Sequence, residues 1–125
     1  MCCGPGTSHL PNVRLLGPVP YDDMMKLLTL AWVLVTDSGG LQEEAAALGR
    51  PTLVIRDTTE RPEGIEAGVA VLAGTDVDTI EKRVCTLMDS PQEYHRMACP
   101  STCYGDGRAA ERALRAIVDF LARSR

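Results

Sequence analysis

The chain is 125 residues long, with 45% apolar residues, 24% charged residues and a formal net charge of −4. This length suits one compact domain with one hydrophobic core. The acidic balance and an aromatic content of 4% argue against a protein that binds nucleic acid or an acidic membrane surface. The composition also excludes the disordered, collagen-like and membrane-spanning classes.

The first eight residues, MCCGPGTS, contain neither a cationic nor an apolar segment, so we expect a flexible N-terminus (1–8) rather than a signal peptide. The chain has five cysteines, and an odd number without a secretion signal favours free thiols in a cytoplasmic protein. His95, Cys99 and Cys103 share a helical spacing, but Pro100 interrupts it. Buried or idle thiols are therefore favoured over a metal site.

Short apolar runs alternate with helical patterns along the rest of the chain. The predicted strands are Val13–Leu16, Trp32–Val35, Thr52–Ile55 and Val69–Leu72. Continuous apolarity is typical of strands that are covered on both faces, and alternation with helices implies parallel crossovers. The sequence therefore predicts an α/β fold with a Rossmann-like, three-layer parallel sheet. Trp32 is expected in the core of that sheet.

The predicted helices cover residues 21–31, 41–48 and 77–88, a short segment that Ser90 caps, and a last segment that starts near Asp106. Gly49 is expected to end the second of these helices. The spacing of apolar residues predicts a buried stripe on the helix at 77–88 and another on the last helix. These stripes comprise Ile80, Val84, Leu87 and Met88, and Ala110, Leu114, Ile117 and Leu121.

Residues 36–44 (TDSGGLQEE) leave a predicted strand and enter a helix. Gly39 and Gly40 permit a tight turn and a close approach of a ligand, and a helix start attracts phosphate. Ser38 adds a hydroxyl donor, and Glu44 is placed to accept hydrogen bonds from ribose hydroxyls. A plain turn with Asp37 or Ser38 as the N-cap explains the same residues about equally well.

Residues 56–64 (RDTTERPEG) follow the third predicted strand. Because the carboxyl ends of parallel strands meet at one edge, this loop should lie beside the Ser38 loop. Arg56 and Arg61 suit a diphosphate, although a solvated loop with internal ion pairs fits slightly better. The segment 103–108 (CYGDGR) is expected to be a structural turn.

Together these segments resemble the C-terminal half of the non-hydrolysing UDP-N-acetylglucosamine 2-epimerases. The resemblance runs from about His9 to Leu121. It is carried by the motifs PNVRL (11–15), GPVPY (17–21), TDSGGLQEE (36–44), RDTTERPE (56–63), GTD (74–76) and YGDG (104–107). Several such motifs in the correct order are more specific than any one alone.

The resemblance implies a glycosyltransferase-B-like fold and the interconversion of UDP-GlcNAc and UDP-ManNAc without an external cofactor. UDP is eliminated to leave a glycal and then adds back on the other face. By matching positions, Ser38, Gly39 and Gly40 would hold the diphosphate, and Glu44 the ribose. Arg61 would lie near the phosphates and Met24 near the uracil. Residues 9–125 would then form a UDP-binding domain that lacks its first βαβ portion.

Family chains are longer, and their acidic residues for proton transfer at C2 lie in an N-terminal domain that this sequence does not contain. The resemblance orders the strands 3-2-1-4-5-6 and matches the four runs to strands 3, 4, 5 and 6. The Val13 strand would then have no native neighbour and the Trp32 strand would have an open apolar edge, and open edges promote pairing. We therefore expect re-pairing of these strands, self-association as a homo-oligomer, or a complementing N-terminal half. A non-catalytic nucleotide-sugar-binding module and a glycosyltransferase donor domain are alternative interpretations.

Overall fold

The computed structural model of the chain describes residues 10–123. The predicted flexible segment at residues 1–8 lies outside this part. The elements in chain order are α1 (Tyr21–Leu30), β1 (Leu34–Thr36), α2 (Gly39–Ala47), β2 (Thr52–Val54), α3 (Pro62–Glu66), β3 (Ala70–Leu72), α4 (Val77–Asp89), α5 (Pro91–Met97) and α6 (Ala109–Arg123). None of these helices is long and apolar enough to span a bilayer.

The three strands form a parallel sheet in the order β1-β2-β3. Leu53 in β2 packs with Leu87 of α4 and Met97 of α5 on one face of the sheet. Its neighbours Thr52 and Val54, which are also buried, point to the opposite face because side chains alternate along a strand. On that second side α2 contacts β1 and β2. The predicted three-layer parallel arrangement is therefore confirmed.

Most predicted helix boundaries agree with the structure. Asp76 caps α4, where its carboxylate accepts a hydrogen bond from the Thr79 amide at 2.9 Å. Ser90 caps α5, as predicted, and its hydroxyl accepts from the Glu93 amide at 3.4 Å. Gly49 follows α2 with a φ of 66°, a conformation that glycine adopts without strain. Local capping signals were therefore sufficient to place these helix ends.

The prediction of a strand at Val13–Leu16 is wrong. The segment enters no sheet and its side chains are exposed, with Leu16 at 64%. It does not re-pair with β1, so one of the three expected outcomes for the open edge is not seen. A strand needs a partner that accepts and donates its backbone hydrogen bonds, and the described chain offers none here.

The prediction for Trp32 is also wrong, because Trp32 lies before β1 and is 41% exposed. Its indole stacks on the ring of Tyr94, with centroids 4.8 Å apart and planes at 1°. The Tyr94 hydroxyl donates to the Trp32 carbonyl at 3.1 Å. This pair connects α5 to the start of β1 at the surface rather than inside the core.

Two predicted apolar stripes are only partly right. On α4, Leu87 is buried and Ile80 and Val84 pack against the core, but Met88 is 66% exposed. The last helix, α6, begins at Ala109 rather than near Asp106, and none of its residues is buried. Its predicted core residues are all exposed: Ala110, Leu114, Ile117 and Leu121. The periodicity is present on α6, but no described element covers it.

Candidate functional site

The candidate site begins at the start of α2, which directly follows β1. Ser38 is the N-cap, and its hydroxyl accepts a hydrogen bond from the Leu41 amide at 3.4 Å. The Ser38 amide donates to Thr36 Oγ1 at 3.0 Å, which fixes the turn. Within residues 10–123 the amides of Gly39 and Gly40 have no acceptor. These two donors and the positive end of the helix are available to an anion.

The two glycines have different surroundings. A Cβ on Gly39 would lie 3.3 Å from Glu60 Oε1 and 3.9 Å from the Arg61 side chain. A Cβ on Gly40 would meet no heavy atom within 4 Å. Gly39 therefore permits the close approach of the loop after β2, whereas Gly40 borders open space. The structure confirms that the Ser38 loop and the 56–64 loop lie side by side.

Arg61 lies immediately before α3 and reaches back to α2. Its Nε donates to Glu43 Oε1 at 2.5 Å, and its Nη1 lies 3.4 Å from the Glu60 carbonyl. Its Nη2 donates to nothing among the residues described. The hydrogen bond and charge of Glu43 raise the pKa of Arg61 further above its usual value. The guanidinium is thus held in place and charged, with one nitrogen free to bind.

A second ion pair occupies the same loop. Arg56 Nη1 lies 2.6 Å from Glu60 Oε2. The pKa of Glu60 is lowered, chiefly by a hydrogen bond from its own backbone amide and then by Arg56 and Arg61. The sequence interpretation of internal arginine–carboxylate pairs is therefore correct for Arg56. Of the two arginines of the loop, Arg61 is the one that contacts α2, beside Gly39 and Glu43.

Glu44 and Met24 border the site from two helices. Glu44 follows Gly40 by one turn of α2, so the two share a face. The Glu44 carboxylate accepts a hydrogen bond from the Tyr21 hydroxyl and raises the pKa of Tyr21 through that bond and its charge. Met24, which is half-buried, follows Tyr21 by three residues and lies on the same face of α1. Tyr21 therefore brings the Met24 face of α1 toward Glu44.

The sequence interpretation missed the residues that fix the Arg61 loop. Gln42 is 2% exposed, and its Oε1 accepts from Thr59 Oγ1 at 3.3 Å. Thr59 Oγ1 in turn accepts from the Arg61 amide at 3.0 Å. Gln42 Nε2 is buried without a partner in the described chain. The signal that could have found Gln42 is a polar residue at a predicted buried position of α2.

The sequence interpretation also missed the contact of Tyr104 with the site, since it predicted only a structural turn for the segment 103–108. The Gly64 amide donates to the Tyr104 hydroxyl at 3.0 Å, and the hydroxyl donates to the Arg61 carbonyl at 3.2 Å. Burial is the main cause that raises the pKa of Tyr104. The same segment does form a turn, with positive φ at Gly105 and Gly107. It therefore shapes the chain and also contacts the site.

His95, Cys99 and Cys103 do not form a metal site in the structure. The helix α5 ends at Met97, and the Cys99 thiol donates to the His95 carbonyl. No cluster of three histidine, cysteine or acidic side chains with the spacing of a metal site occurs among residues 10–123. Cys85, Cys99 and Cys103 are free thiols.

Comparison with known proteins decides the family. The sequence model of the family described as UDP-N-acetylglucosamine 2-epimerase matches residues 5–118. This chain belongs to that epimerase family. A UDP-N-acetylglucosamine 2-epimerase from Escherichia coli K12 is 47% identical over 109 residues, covering 87% of this chain and 29% of that protein. One from Campylobacter jejuni is 41% identical over 110 residues, covering 88% of this chain and 29% of that protein.

Solved epimerase structures agree with the fold. The UDP-GlcNAc 2-epimerase from Neisseria meningitidis bound to UDP-GlcNAc gives a TM-score of 0.86 at 38% identity, covering 90% of this chain and 30% of that one. The UDP co-structure of MnaA from S. aureus gives 0.82 at 39% identity, covering 86% of this chain and 30% of that one. The described residues thus form part of a Rossmann-like domain of the glycosyltransferase-B-like fold. The chain spans about 30% of the length of these relatives.

Proposed function

We propose that this chain binds the UDP part of UDP-GlcNAc and supplies the UDP-binding, C-terminal half of a UDP-GlcNAc 2-epimerase. The observation that carries the proposal is the contact between the start of α2 and Arg61, since it puts the unpaired amides of Gly39 and Gly40 next to a guanidinium whose Nη2 has no acceptor among the described residues. Backbone amides at a helix start and an arginine are the donors that a diphosphate requires. Relatives solved with UDP and UDP-GlcNAc share the fold.

Each site residue then has a distinct role. Gly39 and Gly40 bind the diphosphate through their amides, Ser38 binds it through its hydroxyl, and Arg61 binds it through Nη2. Glu44 accepts hydrogen bonds from the ribose hydroxyls. The α1 face that carries Met24 packs near the uracil, which suits an adaptable apolar side chain.

In the reaction, UDP is both the leaving group and the returning nucleophile. When the bond between the sugar C1 and the UDP oxygen breaks, the bonding electrons leave with UDP, and C2 loses its proton to a base. The glycal then regains UDP at C1 and a proton at C2 on the other face. Donors at α2 and Arg61 stabilise the charge that develops on UDP. We assign proton transfer at C2 to residues outside this chain.

The purified chain is accordingly expected to bind UDP but to show little or no epimerisation. The alternative function is a non-catalytic nucleotide-sugar-binding or assembly module that another polypeptide completes. An assay of UDP-GlcNAc conversion with the chain alone separates these functions from a self-sufficient enzyme, because measurable turnover would overturn our assignment of proton transfer. The odd cysteine count favours a cytoplasmic protein in either case.

Titration calorimetry with UDP tests the proposed site. Arg61→Ala should weaken UDP binding about tenfold or more, since charge-assisted hydrogen bonds are lost. Its control is Arg96→Ala, which removes an arginine paired with Glu93 at 2.8 Å on α5. This control should change the affinity by less than about twofold.

Ser38→Ala has an equally close control in Ser90→Ala. Each serine is an N-cap whose hydroxyl accepts an amide hydrogen bond at 3.4 Å. Both variants should lose about 1 kcal/mol of unfolding free energy, but only Ser38→Ala should weaken UDP binding. Absence of UDP binding by the unmodified chain, or equal losses in both serine variants, would contradict the proposed site.

A further inference from the structure

Tyr104 supplies the cap that α3 lacks on its own. α3 begins at Pro62 with Arg61 as the N-cap, and the arginine side chain makes no capping hydrogen bond. The third amide of such a helix normally donates to the N-cap side chain. Here that amide belongs to Gly64, and it donates to the Tyr104 hydroxyl at 3.0 Å. A residue 40 positions later in the sequence therefore caps the N-terminus of this helix.

The same hydroxyl also holds the main chain of Arg61. It donates to the Arg61 carbonyl at 3.2 Å, so it bridges both ends of the first turn of α3. The fit is tight, because a Cβ built on Gly64 would lie 2.3 Å from the Tyr104 oxygen. Only glycine at this position leaves space for the hydroxyl between the two backbone groups.

Arg61 is therefore fixed at three points. Tyr104 holds its carbonyl, Thr59 Oγ1 accepts from its amide, and Glu43 accepts from its Nε. Thr59 belongs to the same loop as Arg61, and Glu43 belongs to α2, so both of these contacts come from the elements that form the site. Tyr104 is the contact that comes from beyond α5. Without it, Gly64 and Arg61 would each lose a backbone partner.

We infer that Tyr104 is a positioning residue for the anion site, which acts by setting the place of Arg61. The inference rests on the proposed binding of UDP through Arg61. Tyr104 itself need not touch UDP. Removal of the Tyr104 hydroxyl should therefore weaken binding of the diphosphate by no more than the loss of Arg61 itself does.

The test compares Tyr104→Phe with Tyr94→Phe. Both changes delete a hydroxyl that donates to a backbone carbonyl, at 3.2 Å and 3.1 Å, but Tyr94 bonds to Trp32 away from the site. Tyr104→Phe should weaken UDP binding about tenfold, and Tyr94→Phe less than about twofold. Equal affinities for the two variants would overturn the inference.

A double-mutant cycle separates positioning from a general structural effect. In an Arg61→Ala background, Tyr104→Phe should change UDP affinity by less than about twofold, because the group that it positions is gone. An additive loss would overturn the inference. Gly64→Ala provides a second route, since its methyl group displaces the hydroxyl. It should reproduce the loss of affinity with Tyr104 intact, and normal binding by this variant would contradict the inference.

A readout without ligand keeps this inference distinct from the proposed function. The ¹⁵Nε resonance of Arg61 reports its hydrogen bond to Glu43. Tyr104→Phe should shift or broaden this resonance, and Tyr94→Phe should leave it unchanged. If the unmodified chain fails to bind UDP, the proposed function fails, and the Arg61 resonance still decides the role of Tyr104. An unchanged resonance in Tyr104→Phe would overturn it.

Discussion

Two apolar runs of similar composition have opposite fates in this fold. Thr52–Ile55 provides β2, which lies between two parallel strands and is buried along its whole length. Val13–Leu16 is exposed and joins no sheet. The difference shows that apolarity alone does not make a strand. A strand requires neighbours that satisfy its backbone and a layer of side chains that covers it.

The helices repeat this contrast. α4 carries an apolar stripe that reaches Leu53 through Leu87. α6 carries an equally regular stripe, yet none of its residues is buried. Its ion pairs are local, as between Arg115 and Glu111 at 2.9 Å. The described residues of α6 thus stay outside the core, whereas α4 packs on the sheet.

The largest expected effect separates the two runs. Leu53→Ala should lower the free energy of unfolding by about 2–5 kcal/mol, because a fully buried side chain leaves a cavity. Leu15→Ala, at a side chain that is 57% exposed, should change it by less than about 0.5 kcal/mol. Urea unfolding of both variants measures the difference. A similar loss in both would show that residues 13–16 are buried in solution.

Acid should distinguish α4 from α6. Hydrogen bonds from Thr79 lower the pKa of Asp76, and those from Arg112 and Arg108 lower the pKa of Asp106. A carboxylate with a lowered pKa stabilises the fold above its unfolded pKa of about 4, and this contribution is lost as the pH falls through the folded value. Asp76→Asn should flatten the acid dependence of global unfolding, since α4 is part of the core.

Asp106→Asn is the matched change for α6. It should reduce helicity at neutral pH without moving the global transition, because none of the described residues of α6 is buried. Circular dichroism and urea unfolding between pH 3 and pH 6 distinguish the two effects. A parallel change of the global transition in both variants would refute the contrast between the helices.

The exposed stripe of α6 should affect association more than stability. Leu114 and Ile117 are 63% and 56% exposed. Replacing both with serine should leave the unfolding free energy nearly unchanged. If the chain self-associates through this stripe, sedimentation should show a lower average mass for the double variant. A wild-type chain that remains monomeric as its concentration rises would exclude this expectation.

The smallest expected effect concerns Tyr21. Glu44→Gln removes the charge and the carboxylate acceptor that raise the pKa of Tyr21. The tyrosine should then ionise at lower pH, nearer its ordinary value of about 10. Titration of the Tyr21 ring by NMR checks this, with Tyr94 as the internal reference. If the pKa of Tyr21 is the same in Glu44→Gln as in the unmodified chain, Glu44 does not interact with Tyr21 in solution.

The sequence was most informative where structure is determined locally. The cap at Ser90 and the stop at Gly49 could be predicted because their hydrogen bonds or backbone angles involve close neighbours in the chain. The adjacency of the Ser38 and Arg61 loops could be predicted from the parallel order of strands. The binding roles of Ser38, Gly39, Gly40, Glu44, Arg61 and Met24 stay predictions until UDP is titrated.

Features that depend on distant residues could not be found in this way. The Trp32 stack needs Tyr94, which lies 62 residues later. The short helix α3 was missed because its first turn is completed by Tyr104 rather than by a capping side chain within the loop. The periodicity of α6 predicted a buried face, and this was wrong, because whether an apolar face is covered depends on what lies next to it.

The hydrogen bonds of Tyr104 also impose an order in time. During synthesis the Arg61 segment emerges 43 residues before the tyrosine that holds it. A nascent chain that has reached β3 can already pair its three strands, since all of them precede residue 73. The Arg61 loop therefore gains its last contact after the three strands are available to pair, and a chain that ends before residue 104 would keep the strands but lack the contact that completes this loop.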